Sequence, residues 1–276
     1  MREIQPRTPT QWLLVGAALL YAGVLLLAPI LAILQRALAG GIQPVLDALS
    51  EPNVLHALQV TFWITLGAVT INTIMGVITA WVLTRHHFRG KGLLNLLVDI
   101  PFVFSPVIAG YTLIVLFGRG GWFAPTAFPI VFALPAVLIG TTFVSLPFVA
   151  REVGPVLASL DREPEDAAHT IGASRWLTFR RVILPSIWPG ILYGIVLTLA
   201  RALGEFGAVA VAGGGIEGQT ETATMFVFRA LNDRNEVGAY SMSLLLGLVA
   251  ILVLILMRLL RRSTVTEQTA NVDYSG

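Results

Sequence analysis

Two ionisable residues, Arg201 and Glu205, lie inside an otherwise apolar block, Ile187–Ala212. Their i, i+4 spacing puts both on one face of a helix, where they can bond each other. Counted from Ser186 at 1.5 Å per residue, Arg201 is about 22 Å into that block. A charge at such depth in an apolar medium needs a partner or a cavity. Two chemistries fit. A guanidinium matches the paired oxygens of an oxyanion, so Arg201 can help pass a doubly charged anion. Alternatively, the two residues are a buried structural pair in which Glu205 cancels the attraction for an anion. Spacing alone leaves both open.

The remaining reactive groups form no catalytic constellation. There is no nucleophile–base pair, no HExxH and no phosphate-binding loop, and the chain has no cysteine. His86 and His87 sit in the basic segment Arg85–Lys91 without a carboxylate or thiol at metal-ligand spacing, so they read as a solvated loop. His56 and His169 are isolated. Gly213-Gly214-Gly215 follows an apolar block rather than a strand, which argues against a nucleotide cradle; these glycines end the fifth helix. Met225–Leu231 is a short apolar segment, read as an interfacial helix near an outer gate. Asp99, near the end of the third apolar block, reads as structural or interfacial. A membrane enzyme would need several acid–base groups at one depth, and only Arg201 and Glu205 share one.

The elements that must position these residues are membrane helices. Of 276 residues, 55% are apolar and 12% charged, against about 25% charged in soluble domains. A helix of roughly 20 apolar residues spans a bilayer, and six blocks are long enough: Trp12–Leu34, Ala57–Leu83, Leu93–Phe117, Phe128–Ala150, Ile187–Ala212 and Val237–Met257. The first exceeds the roughly 7–15 residues of a signal core and has no prompt small-x-small site, so it reads as retained. Pro101, Pro106, Pro135 and Pro147 break or kink helices three and four. In lipid such breaks survive where protein or a water-filled cavity covers the freed backbone groups, as in a transport pathway or a kinked, packed bundle.

Orientation follows from Lys and Arg in the flanks. With the N-terminus inside, 13 of the 18 lie inside (Arg2, Arg7, Arg85, Arg89, Lys91, Arg151, Arg162, Arg175, Arg180, Arg181, Arg258, Arg261, Arg262). Arg36, Arg119, Arg229 and Arg234 lie outside, and Arg201 lies within a span. The expected protein is therefore all-α and polytopic, with six transmembrane helices and both termini inside. It has a cytoplasmic N-terminus at 1–11, a membrane domain at 12–262 and a polar, disordered tail at 263–276. The modest net charge of +2 does not point to nucleic acid; membrane lipid is the surrounding medium.

Residues 151–186 form the longest inside connection. Pro164 suits a first helical turn, and Glu165 and Asp166 favour its positive end. Gly172 can end that helix in a left-handed conformation. Ser174 can cap a second helix, with Trp176, Phe179 and Ile183 on one face and Pro185 as its stop. The loop is thus expected to be a helix-turn-helix at the membrane surface. It can dock another protein through small residues at its tip, or simply lie on lipid.

Within this loop, Asp166-Ala167-Ala168, three residues, Gly172, nine residues and Val182-Ile183-Leu184-Pro185 resemble the signature of bacterial ABC importer permeases. That signature reads Glu-Ala-Ala, three, Gly, nine, Ile-x-Leu-Pro; Asp166 and Val182 are the departures from it. Three further segments resemble the sulfate and molybdate branch. They are Asp99–Val107, Phe143–Glu152 and Ala200–Ala208, the second being most similar to CysW-type subunits of sulfate/thiosulfate permeases. The resemblance spans about residues 57–260 and implies a type I ABC importer permease fold, with no cofactor in this chain. In such a protein the loop couples to a separate ATPase that binds ATP and Mg, through Asp166, Ala167, Ala168, Gly172, Leu184 and Pro185. The implied partners are two ATPase subunits, a sister permease or a second copy, and a periplasmic or lipid-anchored anion-binding protein. Arg201, Glu205, Ser145 and Pro106, all within the resembling segments, are candidate pathway residues. Import of molybdate or tungstate is the alternative to sulfate or thiosulfate.

Overall fold

The computed structural model describes residues 9–124, 130–161 and 163–273, with the backbone alone for Pro9 and for residues 260–273. The start of the fourth apolar block at Phe128, together with Arg2, Arg7 and Arg162, lies outside the described residues. The elements in order are α1 (Pro9–Ala37), α2 (Gln43–Leu49), α3 (Pro52–Arg85), α4 (Lys91–Val103), α5 (Pro106–Phe117), α6 (Leu134–Ser145), α7 (Pro147–Ser159), α8 (Glu163–Thr170), α9 (Arg175–Thr178), a π turn (Phe179–Ile183), α10 (Leu184–Leu203), a second π turn (Val209–Gly213), α11 (Ala223–Asn232) and α12 (Glu236–Asp273). All regular structure among the described residues is helical.

Five helical stretches are long and apolar enough to cross a membrane: Thr10–Ala37, Pro52–Arg85, Leu134–Ser159, Arg175–Leu203 and Glu236–Leu259. The third block is broken, as its prolines led one to expect. It is the pair α4 and α5, bent by 113°. Pro106 opens α5 and holds Ser105 in an extended conformation (φ −60°, ψ 136°), because its ring clashes with a helical residue before it. Pro135 and Pro147 occupy first turns, where the missing N–H is harmless, so α6 and α7 together form one crossing.

The bundle centres on α3, α7 and α10, which meet through glycine. A Cβ on Gly76 of α3 would lie 2.6 Å from Val149 Cβ, and one on Gly194 of α10 would lie 2.8 Å from Val149 Cα. Small residues let membrane helices pack at this distance, where dispersion replaces the absent hydrophobic drive. Asn72 adds a polar tie, donating to Thr142 O (3.0 Å) and Ser145 Oγ (2.9 Å). By contrast, α1 buries none of its apolar window and meets the bundle along α12.

Two core clusters lie at opposite ends. Ala80, Val149, Val153, Leu157, Ile183 and Ile187 pack the end that carries α8. Val54, Ala57, Phe226, Ala230 and Met242 pack the other. The latter takes in α11, so the Met225–Leu231 segment packs on protein through Phe226 and Ala230, with Phe228 and Leu231 left exposed. The tail also departs from expectation: its backbone continues α12 to Asp273, since no proline or glycine interrupts 248–273.

Candidate functional site

The loop between α7 and α9 is built as its residue types dictate. Gly172 has φ +86° and closes α8 with paired bonds, Gly172 N–H to His169 O and Ala173 N–H to Ala168 O, both 3.0 Å. This double closure satisfies carbonyls that a helix end leaves orphaned. Ser174 Oγ accepts the Leu177 N–H at 3.3 Å and caps α9. Asp166, Ala167 and Gly172 are exposed, whereas Ala168 is turned inward. A Cβ on Gly172 would meet nothing in this chain, so the glycine serves its own left-handed backbone here rather than a close intramolecular approach.

Pro185 does not stop the second helix. The stretch Arg175–Leu203 is continuous, because the π turn shifts the bonding register just ahead of the proline. Leu184 N–H bonds Phe179 O, five residues back, which absorbs the extra room that Pro185 needs without a helix end. The loop is therefore rigidly continuous with a membrane helix, and Leu184 and Pro185 belong to that helix rather than to a tip. Phe179 stacks on Trp176 (5.8 Å between centroids) and meets Trp81 of α3 edge-on (5.7 Å). Trp176 itself remains 70% exposed, and Ile171 at the tip is 86% exposed.

A cleft of about 880 Å³ separates this loop from α3, lined by Trp81, Arg85, Glu165, Asp166, Trp176 and Phe179 among others. At its wall Arg85 Nη2 bonds Glu165 Oε1 at 2.5 Å. Both side chains are mostly buried, at 10% and 18% exposure. This pair pins α8 to the last residue of α3. Sequence reading missed it: the partners are 80 residues apart, and Glu165 had been accounted for by the helix dipole alone. Ile171 was missed as well, although a lone isoleucine beside a turn glycine, outside any apolar period, is a readable signal. Asp99 also finds a partner. Arg151 Nε donates to Asp99 Oδ1 (2.8 Å) and Arg151 Nη1 to Asn95 Oδ1 (3.0 Å), joining α4 to α7.

The other charges gather at the far end. Arg201 lies in the last turn of α10, and Glu205 lies beyond its end, in a break at Gly204–Phe206. The fifth block is thus not one helix through Ala212. Glu205 Oε1 accepts the Ala208 N–H at 2.9 Å and so caps the short helical segment that follows. Arg201 Nη1 approaches Glu205 Oε2 to 2.7 Å, but no N–H points at that oxygen, which has no hydrogen-bond partner among the described residues. Glu205 is 3% exposed, while the Arg201 side chain is 30% exposed. Pro106 is brought to this break: a Cβ on Gly207 would lie 2.9 Å from Pro106 Cβ. Ser145 is not at the break. It is fully buried, donates to Thr141 O at 2.6 Å and accepts from Asn72, so it faces no open path in this structure.

Beyond the break, Gly214 and Gly215 have φ of +74° and +54° and end the helical run as expected of them. Arg229 of α11 then holds the following loop. Its Nε and Nη2 donate to the two oxygens of Glu221 (2.7 and 3.0 Å), and Glu217 lies 3.2 Å from it. The Glu221 hydrogen bonds, aided by the neighbouring carboxylates and opposed by partial burial, raise the Arg229 pKa above its ordinary value.

Residues 72–266 match the family of binding-protein-dependent transport system inner membrane components. The chain belongs to this family. It is an inner-membrane permease subunit of an ABC transport system, not an enzyme. The permease is 42% identical over 264 residues to the "Sulfate transport system permease protein CysW" of Synechocystis, covering 94% of this chain and 96% of that one. It is 35% identical over 272 residues to the "Probable sulfate transport system permease protein cysT" of Zygnema circumcarinatum, covering 96% and 94%. In structure it is similar to a chain of a bacterial alginate ABC transporter solved with its periplasmic protein. There the TM-score is 0.74 at 15% identity, over 92% of this chain and 96% of that one, a likeness of fold.

Proposed function

We propose that this permease carries sulfate, and with it thiosulfate, across the inner membrane as half of a transmembrane pair in an ATP-driven importer. The observation that carries the reading is identity to a sulfate CysW permease along nearly the whole length of both chains. Nothing in the chain favours the molybdate or tungstate alternative. The second half of the pair is read as a sister permease rather than a second copy, a reading supported by the chain's likeness to both CysW-named and cysT-named sulfate permeases.

In this mechanism both termini and loop 160–174 face the cytoplasm, as the Lys and Arg asymmetry supports. The membrane domain occupies 12–262. Exposed Asp166, Ala167 and Ile171 meet one of two ATPase subunits, which bind ATP and Mg; Ala168, Gly172, Leu184 and Pro185 give the loop its shape. Closure of the ATPases moves α8. Arg85 passes that movement to α3, and the unbroken helix from Arg175 passes it to α10. A periplasmic or lipid-anchored binding protein delivers the anion at the opposite end, near Arg229. Arg201 borders the anion path with Pro106, and Glu205 fixes the end of α10.

Uptake of labelled sulfate by cells with and without the gene tests the reading. Gene-dependent uptake blocked by thiosulfate but not by trace molybdate is expected. Block by trace molybdate, or no sulfate uptake, would move the assignment to the metal-oxyanion branch.

A further inference from the structure

We infer that one water molecule is bound between Glu205, Thr65 and Thr141 and joins the broken fifth span to α3 and α6. Three oxygens carry the inference. On α3, Thr61, Thr70 and Thr73 each turn their hydroxyl back onto the carbonyl four residues earlier, at 2.7–2.8 Å. Thr65, on the same helix, does not, and its Oγ1 is buried without a partner among the described residues. Thr141 Oγ1 of α6 is in the same condition, and Glu205 Oε2, although ion-paired with Arg201 Nη1 at 2.7 Å, likewise receives no hydrogen bond among the described residues. The three residues are 3%, 1% and 3% exposed.

These residues line one cavity of about 10 Å³, closed by Ile64, Val209 and Thr222. That is about the volume one water needs, and a buried water requires two to four polar partners. The large majority of buried side-chain polar atoms find a partner in the protein or in ordered water. The inventory balances for water. It accepts from one threonine hydroxyl and donates one proton to Glu205 Oε2 and the other to the second threonine. A monovalent cation fits worse. It would find too few oxygens and would share Glu205 Oε2 with the Arg201 guanidinium 2.7 Å away, a like-charge contact in a low-dielectric site.

The position gives the water its role. Glu205 caps the segment after the break with one oxygen, leaving the other for the water. The water thereby holds the broken end of α10 to two helices that it does not otherwise bond through Glu205. This reading is independent of which anion is carried.

The test is a map of the assembled, lipid-embedded complex at a resolution that shows ordered water, together with Thr65→Val and Thr141→Val. A peak within hydrogen-bond reach of all three oxygens is expected. Each valine variant should lower the melting temperature by about 2–4 °C, and the double variant should fall by much less than the two together, because both disturb one water. Thr65→Ser should restore the parent value. Lack of a peak with the hydroxyls turned onto their own helix, or valine variants that melt like the parent, would overturn the inference. So would a peak that vanishes when sodium is replaced by a large organic cation.

Discussion

The two ends of the permease treat charge in opposite ways. Around α8, Asp166 and the tip residues Ala167 and Ile171 are left on the surface, and a tightly held pair, Arg85–Glu165, joins the loop to a membrane helix. Around α11, the carboxylates turn inward: Glu221 is 1% exposed and bound twice by Arg229, and Glu205 is 3% exposed beside Arg201. A surface left apolar and unpaired is what a docking partner would cover. Buried carboxylates bound by the chain's own arginines and backbone, Glu221 fully and Glu205 through Oε1, are what keep a loop and a helix end in place. The difference teaches that the chain's charged residues are not one class: at one end they are left for the transmission proposed above, at the other they hold shape.

Mutations that separate transmission from shape sharpen this contrast. The largest expected effect is at the loop. Gly172→Val forces a β-branched residue to φ +86° and removes the turn closure. Uptake should fall close to background while membrane abundance stays near normal, as immunoblot and labelled-sulfate uptake would record; normal uptake would break the comparison. Next comes the opposite end, where Glu221→Ala strips Arg229 of its bidentate partner. A lost bond to a charged group is worth about 1.5–3 kcal/mol, so the melting temperature and the membrane abundance should drop together, with uptake per molecule preserved.

Charge reversal across the Arg85–Glu165 pair is expected to act more mildly. Arg85→Glu and Glu165→Arg should each lower uptake several-fold per ATP hydrolysed, and the double reversal should recover much of it. Recovery is the readout that a purely structural loss would not give. The smallest effect is expected at Arg36–Glu236, an exposed pair 3.6 Å apart. Arg36→Ala should change neither uptake nor melting measurably, since such pairs contribute little.

The two ends also differed in how legibly they were written. Loop geometry is local: Gly172 and Ser174 announce a left-handed end and a cap from residue type alone, and both are found there. Apolar runs likewise marked six membrane elements. Pro185 misled because a proline reads as a stop unless a π turn precedes it, and nothing in Phe179–Ile183 advertises that register shift. The break at Gly204–Phe206 was hidden inside a uniformly apolar block, so Arg201 and Glu205 read as one helix face when only Arg201 is helical. The bend before Pro106 was signalled as a break, but neither its 113° angle nor the close approach of Pro106 to Gly207 can be read from a local pattern. Arg85–Glu165 and the Thr65–Thr141–Glu205 cluster join residues far apart in sequence, beyond the reach of any periodic pattern.

The chain has no cysteine, so single cysteines report position without background. Ala167→Cys in the assembled complex, treated with a short thiol-to-amine cross-linker, tests most directly whether the exposed loop is the transmission end. A cross-link to an ATPase subunit whose yield changes with ATP, and no such product from Glu217→Cys, is the predicted result. A cross-link from Glu217→Cys instead, or labelling of Ala167→Cys by a thiol reagent confined to the periplasm, would contradict the account.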